Sequence, residues 1–135
     1  MIDEPPRSAL VATVRAALAE QAPDDLVVVT GAAVRFPDGL SRTPDVLVAR
    51  GGSRPWYPPD DVLLAVEVEP TTEDRSTTPA IYGEHGVPSV WRVTPQPPTI
   101  RVFALRDGAH HQVAASAHVL AHAPFPLEVA LPART

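Results

Sequence analysis

The sequence of 135 residues contains neither cysteine nor lysine. Without cysteine, the protein can form no disulfide and can offer no thiolate to a zinc ion. The 11 basic residues other than histidine are all arginines, so no ammonium side chain is available for catalysis. Aromatic residues make up only 5% of the chain, which predicts a core built mainly from Val, Leu and Ala.

Long apolar runs are absent as well. No run reaches the roughly 18 residues of a membrane-spanning helix, and the opening residues MIDEPPRS lack the pattern of a signal peptide. We therefore expect a cytoplasmic protein with no membrane contact. The net charge of -5 argues against strong non-specific binding to a phosphate backbone, which needs local positive potential.

The apolar pattern predicts one α+β (mixed α/β) domain over residues 1–135, with helices packed on a mixed sheet. Apolar residues recur at helical spacing over 8–21, and a shorter helix is expected to end at Gly86. Strands are predicted at 26–30, 32–36, 46–49, 62–68, 87–93 and 127–131, with a hairpin of 99–105 and 111–114 about an Asp-Gly turn. The first two strands are expected to form a hairpin or one bent strand.

Three acidic residues lie in or beside two of these strands. Asp45 precedes the strand 46–49, whereas Glu67 and Glu69 lie two residues apart at the end of the strand 62–68. Because strand side chains alternate, Glu67 and Glu69 should point to one face, where Asp45 would join them if the strands are neighbours. Clustered carboxylates repel each other and need a cation or a proton.

Each acid also has a purely structural explanation. Asp45 follows a proline and could simply form a turn at the strand entrance, and Glu69 could be solvated at a strand end. Glu67 lies inside an apolar run, which favours a site over a solvated face. The loop 51–61 is rich in Gly and Pro and is predicted to be irregular; its Trp56 and Tyr57 either cover the core edge or contact a ligand or partner.

Several of these features together resemble the Uma-type restriction endonuclease family of bacteria, within the PD-(D/E)XK nuclease superfamily. They are Asp45 in PDVLVA, Glu67 in AVEVEP, the pair Asp74-Arg75, Tyr82 four residues before Gly86, and the segment GVPSVWRV. The resemblance spans roughly residues 8–131. It implies a restriction-endonuclease-like fold, a central mixed β-sheet flanked by helices.

The resemblance also implies Mg²⁺-dependent or Mn²⁺-dependent hydrolysis of DNA, with no small-molecule cofactor. Asp45, Glu67 and Glu69 would be the catalytic and metal-binding side chains, and the Val68 carbonyl a further ligand. Hard carboxylate oxygens suit Mg²⁺, which stabilises charge on phosphoryl oxygens and lowers the pKa of a bound water. Nucleases that cut two strands commonly pair, so we expect a homodimer.

The sequence departs from the family pattern at its lysine. Glu69 occupies the position, two residues after the second acid, where the family pattern has a lysine. Thr78 occupies the alternative position for that lysine on the following helix. Two interpretations of different class therefore stand: an endonuclease of weakened activity, or a noncatalytic nuclease-like binding module whose site has decayed. An unrelated structural α+β domain is the third.

Overall fold

The computed structural model describes residues 7–68, 80–95 and 97–132. The long helix and the strands are α1 (Arg7–Gln21), β1 (Val27–Val29), β2 (Ala33–Arg35), β3 (Ser41–Arg42), β4 (Val46–Ala49), β5 (Trp56–Tyr57), β6 (Val62–Val68), β7 (Ser89–Pro95), β8 (Pro98–Arg106), β9 (Ala109–Ser116), β10 (His118–Ala121) and β11 (Leu127–Ala130). A 3-10 turn covers Pro59–Asp61, and residues 80–84 are helical (α2). Within this described part, no helix has the length and apolar character needed to cross a membrane.

A six-stranded mixed sheet forms the main layer. Its strand order is β1-β4-β6-β7-β8-β9, in which β6 and β7 run parallel and every other neighbouring pair is antiparallel. This mixed sheet confirms the predicted fold class. The central strands β4 and β6 are short apolar runs bounded by Pro, Gly and Asp, and they have the predicted bounds.

Helix α1 covers one face of this sheet. Leu10, Val14 and Leu18 recur every fourth residue, so they share one side of the helix, and all three are fully buried. They pack in one cluster with strand residues that include Val66 and Trp91. Burying a side chain of this size typically contributes about 1.5–3 kcal/mol, so this contact holds the helix on the sheet.

The opposite face of the sheet carries a second layer. A three-stranded sheet of order β3-β2-β5 lies there, and its Val34 and Tyr57 are buried in a second core with Tyr82 of α2. The predicted hairpin of β1 with β2 is wrong: β1 pairs with β4, whereas β2 pairs with β3 and β5. Gly31, between them, has a φ of +75°, and the chain there passes from one sheet to the other.

The C-terminal third is built from two antiparallel pairs. Strands β8 and β9 form the predicted hairpin, and its turn residues Asp107 and Gly108 both have positive φ, which suits a tight two-residue turn. Strand β11 was predicted, but its partner β10 was not. The loop 51–61 likewise contains the strand β5, which pairs with β2.

Candidate active site

Asp45 is fixed against strand β6 by three contacts with the backbone and a neighbouring cation. Its N–H donates to the Val66 carbonyl at 2.9 Å, and its Oδ2 accepts the Val68 N–H at 2.7 Å. Its Oδ1 forms an ion pair with Arg7 at the start of α1. Asp45 therefore does close the strand entrance, and in doing so it places its carboxylate beside Glu67.

Glu67 points away from the α1 core. Its strand neighbours Val66 and Val68 are buried beneath α1, so alternation directs Glu67 to the opposite face. There the hydroxyl of Tyr82, which is fully buried, donates to Glu67 Oε2 at 3.1 Å. The helical segment 80–84 thus supplies a direct hydrogen-bond partner to the acid on β6.

The surroundings of Glu67 shift its protonation strongly. Burial raises the pKa of Glu67 to about 7 from 4.5, and the negative charge of Asp45 raises it further. The Tyr82 hydrogen bond and the charges of Arg92 and Arg42 act in the other direction, but burial dominates. Burial, the charge of Glu67 and the hydrogen bond to it raise the pKa of Tyr82 far above its usual range, so its hydroxyl remains a donor.

Arg7 contacts two of the predicted metal donors. Besides its ion pair with Asp45, its Nε donates to the Val68 carbonyl at 3.4 Å. The Arg7 side chain is 60% exposed, whereas Asp45 is 14% exposed, so the cation reaches inward from the surface. A single guanidinium thereby bridges a carboxylate and a carbonyl that were both predicted to bind Mg²⁺.

Arg92, like Arg7, is a charged residue near this site that was not predicted from the sequence. It is the register partner of Glu67 on the parallel strand β7 and is only 2% exposed. The available signal was an arginine inside the apolar run SVWRV, the same signal that made Glu67 conspicuous in its own strand. Its charge lowers the pKa of Glu67, so the acids have a cation beside them although the chain lacks lysine.

The third predicted acid, Glu69, lies outside the described residues, as do Asp74, Arg75 and Thr78. Within those residues, no group of three or more His, Asp or Glu is arranged to hold a metal ion. Asp45 and Glu67 are therefore a pair of carboxylates with one adjacent carbonyl, from Val68.

The loop 51–61 is held by its own contacts. Arg54 pairs with Asp61 at 2.9 Å and lies 4.5 Å above the ring centroid of Tyr57. Tyr57 is fully buried and covers the core edge, as one of the two interpretations predicted. Trp56 is 38% exposed, with the Arg35 guanidinium 4.7 Å from its ring centroid.

An open cleft of about 630 Å³ on the α1 side reaches Asp45, whereas Glu67 lies on the opposite face of the sheet. Asp45 and Arg7 lie on its wall, together with Arg15 of α1 and the hydroxyl residues Ser8, Thr30 and Thr43. Two arginines and three hydroxyl groups can donate hydrogen bonds there, and among the described residues Asp45 is the one carboxylate of the lining.

Comparison with known proteins bears on this geometry. A family model described as Uma2, putative restriction endonuclease, matches residues 5–134. The chain belongs to the Uma2 family. The family resemblance predicted from the sequence is thereby confirmed.

A solved structure has the same fold as this Uma2 protein. It is that of a putative nuclease belonging to DUF820 from Anabaena variabilis ATCC 29413, with 15% identity and a TM-score of 0.65 over 91% of this chain and 76% of that chain. At this identity the similarity establishes the fold, which is nuclease-like. No match was found among curated proteins.

Proposed function

We propose that this Uma2 protein is a Mg²⁺-dependent or Mn²⁺-dependent endonuclease that hydrolyses DNA phosphodiester bonds slowly. The observation that carries the proposal is the pairing of Asp45 with Glu67. Asp45 is held against β6 by the Val68 N–H, and its negative charge raises the pKa of the partly buried Glu67. Two carboxylates so arranged favour a cation between them.

The donors fit a hard divalent cation in type. Carboxylate oxygens of Asp45 and Glu67 and the Val68 carbonyl are the ligands that Mg²⁺ and Mn²⁺ prefer. Arg7 contacts the Asp45 carboxylate and the Val68 carbonyl, which supports their capacity to share one cation. A bound metal would supply a water of lowered pKa and stabilise charge on the phosphoryl oxygens.

The chain's own residues would prepare the site. Tyr82 donates to Glu67 and so favours its ionised form and fixes its orientation. The Val68 N–H fixes the orientation of the Asp45 carboxylate. Because the acids are oriented by the fold, binding of a cation would need little reorganisation of these side chains.

The absence of lysine explains why we expect slow hydrolysis. Losing one well-placed donor to the reacting oxygens typically costs on the order of 10²- to 10³-fold in rate. Arg92 and Arg42 contribute positive charge near Glu67. An arginine stays protonated, however, so neither can accept a proton from the attacking water.

A noncatalytic nuclease-like binding module is the alternative, and one observation favours it. Arg7 is bound to both Asp45 and the Val68 carbonyl. In this alternative, the Arg7 guanidinium takes the place of the metal permanently. The protein then binds nucleic acid or a partner protein and catalyses no cleavage.

Cleavage of DNA by purified protein tests the proposal. We expect slow cleavage of duplex DNA that requires Mg²⁺ or Mn²⁺ and is lost in both Asp45→Ala and Glu67→Ala. Asp61→Ala is the matched control, because Asp61 lies immediately before β6, the strand of Glu67, and pairs with Arg54 instead. DNA binding without metal-dependent cleavage would favour the binding module, and cleavage that survives both substitutions would overturn the proposed site.

We also propose that two copies associate through the free edge of β9. In the described part of the chain, β9 pairs with β8 on one side only, and its eight residues AHHQVAAS include no Asp, Glu, Lys, Arg or Pro. Edge strands that avoid association usually carry such residues. Val113, 45% exposed on this strand, would be buried in the dimer.

Sedimentation with a charge substitution checks the dimer. Val113→Glu is expected to convert a dimer into a monomer, whereas Leu120→Glu, at an exposed residue of β10, is expected to leave it intact. A monomeric wild-type protein at roughly tens of micromolar, where an interface of standard size associates, would contradict the proposal.

A further inference from the structure

Charged residues continue from Glu67 across the main sheet on the face opposite α1. Arg92 of β7 is the register partner of Glu67, and Arg101 of β8 is the register partner of Arg92. Alternation confirms their common face, because Ile100 and Val102, the neighbours of Arg101, are buried in the α1 core. We call Glu67, Arg92 and Arg101 the charged row.

The basic end of the charged row is unusual for a sheet. Arg92 and Arg101 lie directly opposite each other on antiparallel strands, where like charges destabilise the pairing. Arg92 is almost fully buried, while Arg101 is exposed and makes no ion pair with any residue that the structure describes. Arg92 has Glu67 on its other side, so Arg101 is the guanidinium of the row whose charge an added anion would offset.

A recess of about 270 Å³ lies at this position. It is lined by Arg92, Arg101, Thr94, Phe103 and Gln112. Among the residues that the structure describes, this lining has two guanidinium groups, one hydroxyl and one amide, and no carboxylate. These groups can all donate hydrogen bonds to oxygen, which is the requirement for binding a phosphate.

We propose that this recess binds a phosphate of a nucleic-acid backbone, adjacent to the phosphodiester bond that would be cut at Asp45 and Glu67. The inference rests on the proposed function and identifies where its substrate would be held. Two strand spacings separate Arg101 from Glu67, or roughly 10 Å across the sheet, which a short stretch of nucleic-acid backbone can span. The protein carries a net charge of -5, so a local cationic site is needed to retain a polyanion.

Fluorescence anisotropy of a labelled DNA duplex, measured in EDTA across a salt series, tests this site. Arg101→Ala should weaken binding several-fold and reduce the slope of log K against log salt by about one, the contribution of one phosphate contact. Arg101→Lys should retain most of the slope, since it retains the charge.

Arg106→Ala is the matched control. Arg106 lies on the same strand but alternates to the opposite face, and its loss changes the net charge by the same amount. Equal effects of Arg101→Ala and Arg106→Ala would overturn the inference, because they would reflect net charge alone. Binding of inorganic phosphate that depends on Arg101, together with unchanged duplex binding in Arg101→Ala, would overturn the assignment to nucleic acid.

The EDTA condition separates this inference from the proposed function. The recess should bind DNA without metal, so an Arg101-dependent affinity would stand even if no cleavage or metal binding were found. Conversely, wild-type protein that has no affinity for DNA in EDTA at low salt would contradict phosphate binding in the recess. Metal binding at Asp45 and Glu67 would be unaffected by that result.

Discussion

Glu67 and Arg92 are register partners on the parallel strands β6 and β7, each inside an otherwise apolar run. Arg92 lowers the pKa of Glu67, yet burial and the charge of Asp45 leave that pKa at about 7. Arg92 and Arg42 together therefore do not offset the burial of Glu67. A further cation at the acids would, and this is the physical basis of the proposed metal site.

Glu67 is expected to make stability depend on pH. Its pKa is about 7 in the fold, above the ordinary value of 4.5, so the folded state favours the protonated carboxyl. Stability contributed by that proton is fully present below about pH 4.5 and is lost as the pH rises through about 7, by at most roughly 3 kcal/mol. Glu67→Gln should therefore be more stable than wild type at about pH 8 and similar to it at about pH 4.

Urea unfolding in EDTA measures this difference without interference from metal ions. Glu20→Gln, on the exposed side of α1, is the control and should follow the wild-type curve. If the stabilities of wild type and Glu67→Gln differ by the same amount from acid to alkaline pH, the pKa of Glu67 is not raised by the fold.

Tyr82 should tune metal affinity through Glu67. Tyr82→Phe removes the hydroxyl that donates to Glu67, so the pKa of Glu67 rises and protons compete better with a metal at neutral pH. Tyr57→Phe is the matched control, since Tyr57 is also buried and donates its hydroxyl to the Gly52 carbonyl. Both substitutions should cost about 1 kcal/mol of stability, but only Tyr82→Phe should weaken Mn²⁺ binding by calorimetry.

Arg7 should compete with the metal. Arg7→Gln frees the Asp45 carboxylate and the Val68 carbonyl from a guanidinium, so the affinity for Mg²⁺ or Mn²⁺ should rise several-fold. The Arg7 side chain is 60% exposed, so loss of its ion pair should cost no more than about 1 kcal/mol of stability. Arg15→Gln, in the same helix and cleft, should leave metal affinity unchanged. Weaker metal binding in Arg7→Gln than in Arg15→Gln would contradict this role.

The parts of the fold that could be predicted from the sequence are those with strong local signals. Strands β4 and β6 have their predicted bounds because short apolar runs end at Pro, Gly and Asp. The hairpin of β8 and β9 follows from its Asp-Gly turn. By contrast, β5 has two residues and β10 has four, and each exists because a distant strand pairs with it. Such pairing leaves no local pattern.

In the candidate site, likewise, some residues could be predicted from local sequence and others depend on the fold. Asp45 and Glu67 could be picked out because each acid interrupts or adjoins an apolar run. Arg92 has the same signal, but its relation to Glu67 depends on the parallel register of β6 with β7, which only the folded sheet supplies. Arg7 is 38 residues from Asp45 along the chain, and the packing of α1 on the sheet brings them together.

Isothermal titration of the purified protein with Mn²⁺ and with Mg²⁺ tests the proposed metal site at Asp45 and Glu67. We expect saturable binding by wild type that is lost in both Asp45→Asn and Glu67→Gln and retained in Asp61→Asn, with all variants folded by circular dichroism. Binding that survives in Asp45→Asn and Glu67→Gln, or its absence from wild type and Arg7→Gln alike, would contradict a metal site formed by these two acids.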